Sequence, residues 1–225
     1  MSPGREPNNA WLFVRDEIDL LEEEFDEIFR RHDALRDPVR HALEESVLKE
    51  QLETEEATES EVALHMGPKL VEEERGAPPP SIMEEFDSVG SLREWLKRDV
   101  MRDPFYESVF LWSTRVAKWA KEAYDRNPQS RDLFRIYVNA CLVPAKVAFG
   151  QSEETHEHED ALELASKEYE LASVYLRRVQ DSLQTLEDAG SLPAESVWMF
   201  SEANQIAEKL AQARRRLSQP RPFRP

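Results

Sequence analysis

The densest group of side chains that could do chemistry lies at residues 153–160, where five carboxylates and two imidazoles fall within eight positions. Glu153 and His156 stand three residues apart, which is the Glu-x-x-His spacing of di-iron carboxylate proteins. Such a centre needs a second Glu-x-x-His pair and two further inward-facing glutamates on other helices. The other predicted helices carry no second copy of this pair, so we expect neither a metal nor a cofactor, at His158 or elsewhere in the cluster.

Side chains suited to covalent catalysis are also scarce. Cys141 is the only cysteine of the chain, so no intrachain disulfide can form. It lies in the apolar run Ala140-Cys141-Leu142-Val143, where a buried and inert thiol is expected. The sequence has no phosphate-binding glycine loop, no nucleophile elbow and no Cys/His pair with catalytic spacing. We therefore expect a protein that is not an enzyme and has no catalytic or cofactor-binding residues.

A basic cluster near the C-terminus supplies the predicted interaction residues Arg214, Arg215 and Arg216. Arginines in the last turn of a helix complement the helix dipole, which is one interpretation of the cluster. The other is a contact with phosphates or with an acidic partner. The acidic N-terminal half of the chain is the natural intramolecular candidate for such a partner.

The charge is concentrated in that N-terminal half. Residues 1–91 carry 25 Asp and Glu against 9 Lys and Arg, a net charge of −16, whereas the whole chain carries −17. An arm of this charge repels phosphate backbones and anionic membranes. It is either a solvated, solubilising segment or a segment that mimics nucleic acid or docks on a basic partner. No signal peptide pattern follows Met1 and no apolar stretch reaches 18 residues, so we expect a cytoplasmic protein without a membrane span.

The hydrophobic pattern predicts an all-α protein. Residues 1–52 form an acidic arm of amphipathic helices, because apolar residues alternate at spacings of three and four as in a heptad seam: Trp11, Val14, Ile18, Leu21, Phe25, Ile28, His32 and Leu35. His32 is the polar position of that seam and is expected to set its register. Residues 53–61 have no apolar residue except Ala57, and Gly76-Ala-Pro-Pro-Pro80 follows, so residues 53–91 are predicted to be a charged, Pro-rich linker with a weak helix near 61–75.

Residues 92–217 are predicted to form an up-down-up-down antiparallel four-helix bundle, followed by a flexible tail at 218–225. Short connections between consecutive helices force neighbours to be antiparallel. A short helix at 92–101, opened by a capping box at Ser91 and Glu94, precedes the bundle. The bundle helices are expected at about 105–126, 130–150, 157–188 and 192–217, with Gly190 ending the third. Pro144 lies inside the second of these helices, which should kink near Ala140–Pro144 without ending there.

Trp112, Trp119, Pro144 and Gly150 are the predicted packing or oligomer residues. The two tryptophans lie at core-like spacing on one helix, which indicates a core or a subunit interface. The stretch Leu142-Val-Pro-Ala-Lys-Val-Ala-Phe-Gly150 ends the apolar second helix, and Leu183-Gln-Thr-Leu-Glu-Asp-Ala-Gly-Ser-Leu192 joins the last two helices.

These segments, together with Leu111-Trp112 through Ala123-Tyr124, resemble the four-helix bundle proteins of the 23S ribosomal RNA intervening-sequence family. That family includes the accessory variability determinant of diversity-generating retroelements, and the resemblance covers about residues 105–217. It departs at Lys146, where the family usually has Asn, and at Phe149, where it has an acidic residue. The acidic arm has no counterpart in the family.

The resemblance implies ring-like homopentamers whose biochemical role is mostly unassigned. It also implies an alternative, because the retroelement member is a basic accessory protein that binds nucleic acid and reverse transcriptase. The segment 92–225 has 21 acidic and 20 basic residues, so this role fits less closely. We expect a non-enzymatic, homo-oligomeric interaction or scaffold protein with a protein partner for its acidic arm. The alternative is a nucleic-acid-binding accessory protein.

Overall fold

The computed structural model describes residues 26–76, 103–155 and 159–219, and all regular secondary structure in these ranges is helical. The all-α prediction is therefore confirmed for the described part of the chain. Several predicted features lie outside it: the first five seam residues (Trp11 to Phe25), the prolines at 78–80, the short helix at 92–101, His156 with His158, and the tail from residue 220.

A helical segment at residues 26–33 comes first among the described residues. The helices that follow are α1 (Pro38–Gly76), α2 (Pro104–Arg126), α3 (Arg131–Glu154), α4 (Glu159–Asp188) and, after a 3-10 turn at Ala194–Ser196, α5 (Val197–Leu217). α3 contacts α2 and α4, and α5 contacts α4 and α2. α1 lies on α3 and α4. Helices α2 to α5 thus form a closed circuit of contacts, with α1 packed against two members of it.

The predicted helix starts at Asp103-Pro104 and Ser130 are confirmed, and each has a capping side chain. The Asp103 carboxylate accepts hydrogen bonds from the backbone N–H groups of Phe105 (2.6 Å) and Tyr106 (3.3 Å). The Ser130 hydroxyl oxygen accepts one from the Leu133 N–H at 3.3 Å. These bonds satisfy donors that the first turn of a helix leaves without partners.

Gly190 ends α4, as predicted. Its φ of +66° lies in the left-handed region that glycine tolerates best. The N–H of Ser191 donates to the carbonyl of Leu186 and the N–H of Gly190 donates to the carbonyl of Glu187, both at 2.8 Å. This pair of bonds is a Schellman motif, which closes the last turn of the helix.

Other predicted boundaries differ from the structure by a few residues. α3 continues through Pro144, as expected, but ends at Glu154 instead of at Gly150. In the described residues α4 begins at Glu159, and its predicted start at 157 lies outside them. α5 begins at Val197 because residues 194–196 form a 3-10 turn after Pro193. The kink at Pro144 stays a prediction.

The largest difference concerns the linker predicted for residues 53–91. α1 runs without interruption from Pro38 to Gly76, across the predicted boundary after residue 52. The helix predicted near 61–75 is therefore confirmed as part of α1, whereas the linker prediction is wrong for residues 53–60. The linker was predicted because the run at 53–61 contains almost no apolar residues. Polar residues of this stretch have partners of opposite charge on α3 and α4 instead, for example Glu55 with Lys146 and Glu61 with Lys167.

The core draws side chains from α2 to α5 and from the start of α1. Trp112 of α2 is fully buried in it, and its indole N–H donates a hydrogen bond to the Met199 carbonyl of α5 at 3.0 Å. Val47 and Leu48 of α1 join the same cluster. Among the described helices, α3 alone is long and apolar enough to cross a membrane, but 72% of the relevant window is buried inside the protein. This burial is typical of a core helix.

Replacing Gly150 by alanine is expected to lower the free energy of unfolding by about 1–3 kcal/mol. A Cβ atom at this position would come within 2.7 Å of Cε1 of the buried Tyr169, so the ring or α3 must move. Urea unfolding followed by circular dichroism measures the change in free energy of unfolding. In a protein that already carries Tyr169→Ala, the further loss caused by Gly150→Ala should be smaller.

Gly190→Ala is the matched control. The space around Gly190 is open, so its cost of about 1–2 kcal/mol comes from the left-handed backbone and should add independently to Tyr169→Ala. If the losses of unfolding free energy caused by Gly150→Ala and Tyr169→Ala were strictly additive, the steric clash between these two positions would be contradicted.

Candidate functional site: the face of α3 and α4 that holds α1

The side of α1 that faces the protein changes character along its length. Val47 and Leu48 are buried apolar residues. Between Glu50 and Glu61 the side chains with partners on α3 and α4 are polar, and Gln51 is only 3% exposed. The polar residues with partners on α3 or α4 are Glu50, Gln51, Thr54, Glu55 and Glu61. This part of α1 is therefore held mainly by hydrogen bonds and ion pairs.

Glu44 joins the N-terminal segment, α1 and α2. Its carboxylate is 2% exposed and accepts hydrogen bonds from the Tyr124 hydroxyl at 2.7 Å and from Nε of Arg40 at 2.9 Å. Nδ1 of His32 lies 3.4 Å from its other oxygen. Burial and the neighbouring Glu44 raise the pKa of Tyr124 above its ordinary value, so its hydroxyl keeps its proton and donates. His32, predicted to set the register of the seam, thus contacts α1 through Glu44.

Glu50 lies among three arginines. Arg135 binds it through two bonds, Nη2 to Oε1 at 2.6 Å and Nε to Oε2 at 3.0 Å. Nη2 of Arg131 lies 3.2 Å from Oε2, and Nε of Arg178 lies 3.1 Å from Oε1. Burial opposes ionisation of this carboxyl, but the hydrogen bond and charge of Arg135, with the charges of Arg178 and Arg131, hold its pKa below the usual value.

Gln51 makes a side-chain amide pair with Asn139, which is fully buried on α3. Nε2 of Gln51 donates to Oδ1 of Asn139 at 2.6 Å, and Oε1 of Gln51 accepts from Nη1 of Arg178 at 3.2 Å. Nδ2 of Asn139 donates to the Arg135 carbonyl at 2.8 Å. A displacement of α1 by one residue would leave these buried amides unpaired, so the pair sets the register of docking.

Glu55 and Glu61 continue the docking toward the far end of the face. Nζ of Lys146 lies 2.9 Å from Oε2 of Glu55 and 3.5 Å from Oε2 of Glu168. The Tyr175 hydroxyl donates to Oε1 of Glu55. Burial, with a contribution from the charge of Glu55, raises the pKa of Glu168, although Lys146 opposes the shift. Nζ of Lys167 lies 2.7 Å from Oε1 of Glu61.

We call this surface the docking face, and define it by these residues of α3 and α4: Arg131, Arg135, Asn139, Lys146, Lys167 and Arg178. Its five cations meet the carboxylates of one helix. Of the interpretations of the acidic arm, the structure shows docking on a basic surface for Glu50, Glu55 and Glu61, and that surface belongs to the same chain.

The predicted interaction residues Arg214, Arg215 and Arg216 lie elsewhere. Arg214 pairs with Glu170 of α4 at 3.1 Å, and Arg216 pairs with Glu154 of α3 at 2.5 Å. Arg215 is exposed. The acidic arm was the expected intramolecular partner of this cluster. In the described residues, Arg214 and Arg216 instead form ion pairs with α4 and α3, whereas the acidic arm contacts the docking face.

The predicted packing residues lie in or near the core. Trp112, Pro144 and Gly150 are buried, and Trp119 is partly buried against the core cluster. Trp112, Pro144 and Gly150 therefore pack within the chain, and a role of any of the four in an oligomer stays a prediction. No group of three or more metal-ligating side chains is present in the described residues, which exclude His156 and His158.

A cavity of about 580 Å³ lies at one end of the helices, where α3 ends and α2 begins. Its polar groups pair with each other: Tyr169 donates to Glu154 at 2.6 Å, and Nε2 of Gln151 donates to Asp103 at 3.0 Å. Arg216 binds the same Glu154 carboxylate. These pairs join the end of α3 to the start of α2, to α4 and to the end of α5.

Sequence reasoning missed the docking face, although signals were present. Arg135, Asn139 and Lys146 interrupt an otherwise apolar helix, and Lys146 was noted only as a departure from a family pattern. Polar residues on a helix that is apolar nearly all round indicate buried partners. The partners themselves could not be identified, because they lie more than 80 positions away in the chain.

Replacing Glu50 by alanine is expected to lower the free energy of unfolding by about 1–3 kcal/mol, because three clustered guanidinium groups lose their shared carboxylate. The control is Glu53→Ala. That side chain is 65% exposed and pairs only with Lys49, at 3.7 Å, so its loss should cost less than about 0.5 kcal/mol. Urea unfolding at neutral pH compares the two variants, and equal effects would contradict the role of Glu50.

Comparison with known proteins gives no match: no family model, no curated protein and no solved structure is similar to this chain. The resemblance to the ribosomal RNA intervening-sequence family consequently stays a prediction.

Proposed function

We propose that this chain is a non-enzymatic interaction or scaffold protein, and that it assembles into a homo-oligomer. In this proposal α2 to α5 form an up-down-up-down antiparallel four-helix bundle, which serves as a rigid platform for a docked acidic helix. The closed circuit of contacts among α2, α3, α4 and α5 supports the bundle, as do the short connections at residues 127–130 and 189–196.

The observation that carries the proposal is the docking of α1 through polar groups. Gln51 and Asn139 are among the most buried polar side chains of the described residues, and both serve a contact between helices. Replacing buried ion pairs by apolar residues is often neutral or stabilising, so such pairs are weak evidence for a purely structural role. Paired charges instead give a surface that recognises one partner in one register.

Exposed apolar side chains support the oligomer. Leu111 of α2 is 52% exposed and Val197 of α5 is 70% exposed, and Trp198 is partly buried beneath Arg115, 3.7 Å from its ring centre. α2 and α5 contact each other, so these residues lie on adjoining helices. Aromatic and arginine residues on adjoining helices are typical of protein interfaces. The family resemblance favours a pentamer.

Light scattering coupled to size exclusion tests the oligomer. At micromolar concentration we expect a mass that is a multiple of 26.2 kDa, fivefold if the family resemblance holds. Leu111→Glu with Val197→Glu should reduce that mass, because two charges would be desolvated at the interface. Lys49→Glu, an exposed charge change on α1, is the control. A wild-type protein of monomer mass would refute the oligomer.

A second candidate function is nucleic-acid binding as an accessory protein. The observation that favours it is the row of five cations on the docking face, with the exposed Arg215 as a further cation. Cations in a row can neutralise successive phosphates. In the described structure all five are paired with α1, so this function requires α1 to leave.

If the chain binds nucleic acid, its affinity for a labelled single-stranded RNA or DNA should fall as the salt concentration rises. An oligonucleotide of about 20 nucleotides is long enough to make several phosphate contacts. Fluorescence anisotropy at low salt measures the binding, and Arg215→Ala alone should weaken it slightly. Charge reversal of Glu50 and Glu55, which releases the docking face, should strengthen it. The absence of binding by both proteins at low salt would exclude this function.

A further inference from the structure

Three residues of the docking face, Arg135, Asn139 and Lys146, also have partners on α3 and α4 themselves. Nη1 of Arg135 donates to the Arg178 carbonyl and to the Ser182 hydroxyl, both at 3.4 Å. Asn139 is held by the Arg135 carbonyl. Lys146 is held by Glu168 of α4. None of these contacts involves α1, so these three residues have supports within α3 and α4 in addition to their contacts with α1, and this limits their reorganisation when a helix binds.

The docking face binds a defined pattern of side chains on its helix. Arg135 binds Glu50, Asn139 binds Gln51 and Lys146 binds Glu55. The helix must therefore present a carboxylate, an adjacent amide and a second carboxylate four residues further on. Every copy of this protein carries such a helix. A phosphate backbone fits less well, because it offers no donor to Oδ1 of Asn139 and meets the Glu168 carboxylate beside Lys146.

The attachment of α1 permits it to reach another copy. Residues 77–102, a stretch of 26, separate Gly76 of α1 from Asp103, the cap of α2. Such a stretch can extend to about 85 Å, which exceeds the length of any helix here. The exchange also keeps the apolar contacts at the start of α1, since a partner copy restores the burial of Val47 and Leu48.

We propose that two copies of this protein exchange α1, so that the docking face of each is completed by Glu50, Gln51 and Glu55 of its partner. This inference rests on the proposed homo-oligomer and adds a second link between copies, separate from the surface around Leu111 and Val197. The contacts are the same within one copy and between two. Exchange therefore depends on concentration, as for other domain-swapped dimers.

Two full-length variants test the exchange. E50K/E55K carries a reversed helix, and R135E/K146E carries a reversed face. Neither can dock α1 within its own copy, whereas a 1:1 mixture matches every reversed helix with a reversed face and every native helix with a native face. We expect the mixture to form a dimer of twice 26.2 kDa, with a dimer fraction at least about tenfold above that of either variant alone. The melting temperature of the mixture should rise toward that of wild type.

The quadruple variant E50K/E55K/R135E/K146E is the control, since it can dock α1 within one copy and should regain the wild-type melting temperature. If these reversals prevent folding, the pair Glu61→Lys and Lys167→Glu at the more exposed end of the face repeats the test, with Glu61 51% exposed. In either design, a mixture that keeps the mass and melting temperature of its components overturns the exchange.

Two further outcomes separate this inference from the proposed function. Variants that each keep the oligomeric mass of wild type would overturn the exchange and leave the homo-oligomer intact through another surface. A wild-type protein that is monomeric wherever the mixture is dimeric would overturn both. A wild-type dimer whose fraction rises with concentration and falls in E50K/E55K supports the exchange.

Discussion

The contact between the Glu50 carboxylate and the guanidinium groups of Arg131, Arg135 and Arg178 determines where α1 lies. Three cations held this close on α3 and α4 would repel each other, and a shared carboxylate offsets that repulsion. The same contact keeps Glu50 ionised, since it holds the pKa of the carboxyl below its usual value despite burial. The amide pair and the Lys146 contact follow in register along α1.

Apolar and polar docking divide α1 into two parts with different consequences. At Val47 and Leu48 the helix contributes to the common core, where burial favours association without specifying register. From Glu50 onward, each buried polar atom requires one particular partner, so a wrong register leaves charges and amides unpaired. The second part therefore gives specificity more than stability, which is the property expected of a recognition surface.

The acidic N-terminal half acquires a physical explanation from this arrangement. The carboxylates of Glu50, Glu55 and Glu61 neutralise cations that α3 and α4 would otherwise expose, so part of the negative charge of this half serves an internal pairing. Arg214 and Arg216 are neutralised separately, by Glu170 and Glu154. A helix that is held by paired charges can also be released by a competing set of charges, which links the docking face to the proposed interaction role.

The sequence by itself determined the helical class and most helix ends, because those depend on residues that are neighbours in the chain. Asp103 and Ser130 cap helices through bonds to residues two or three positions away, and Gly190 closes α4 through a local motif. Seam spacing likewise predicts which residues face a core. Such signals are short-ranged, so one sequence suffices to identify them.

Only the tertiary structure decided that residues 53–76 continue α1 and that the acidic arm docks on α3 and α4. A polar stretch without apolar periodicity is equally typical of a linker and of a helix held by ion pairs. The choice depends on Arg135, Lys146 and Arg178, which are 85 or more positions from their partners on α1. Ion pairs between distant residues leave no characteristic spacing in the sequence. Their geometry is defined only once the helices have packed.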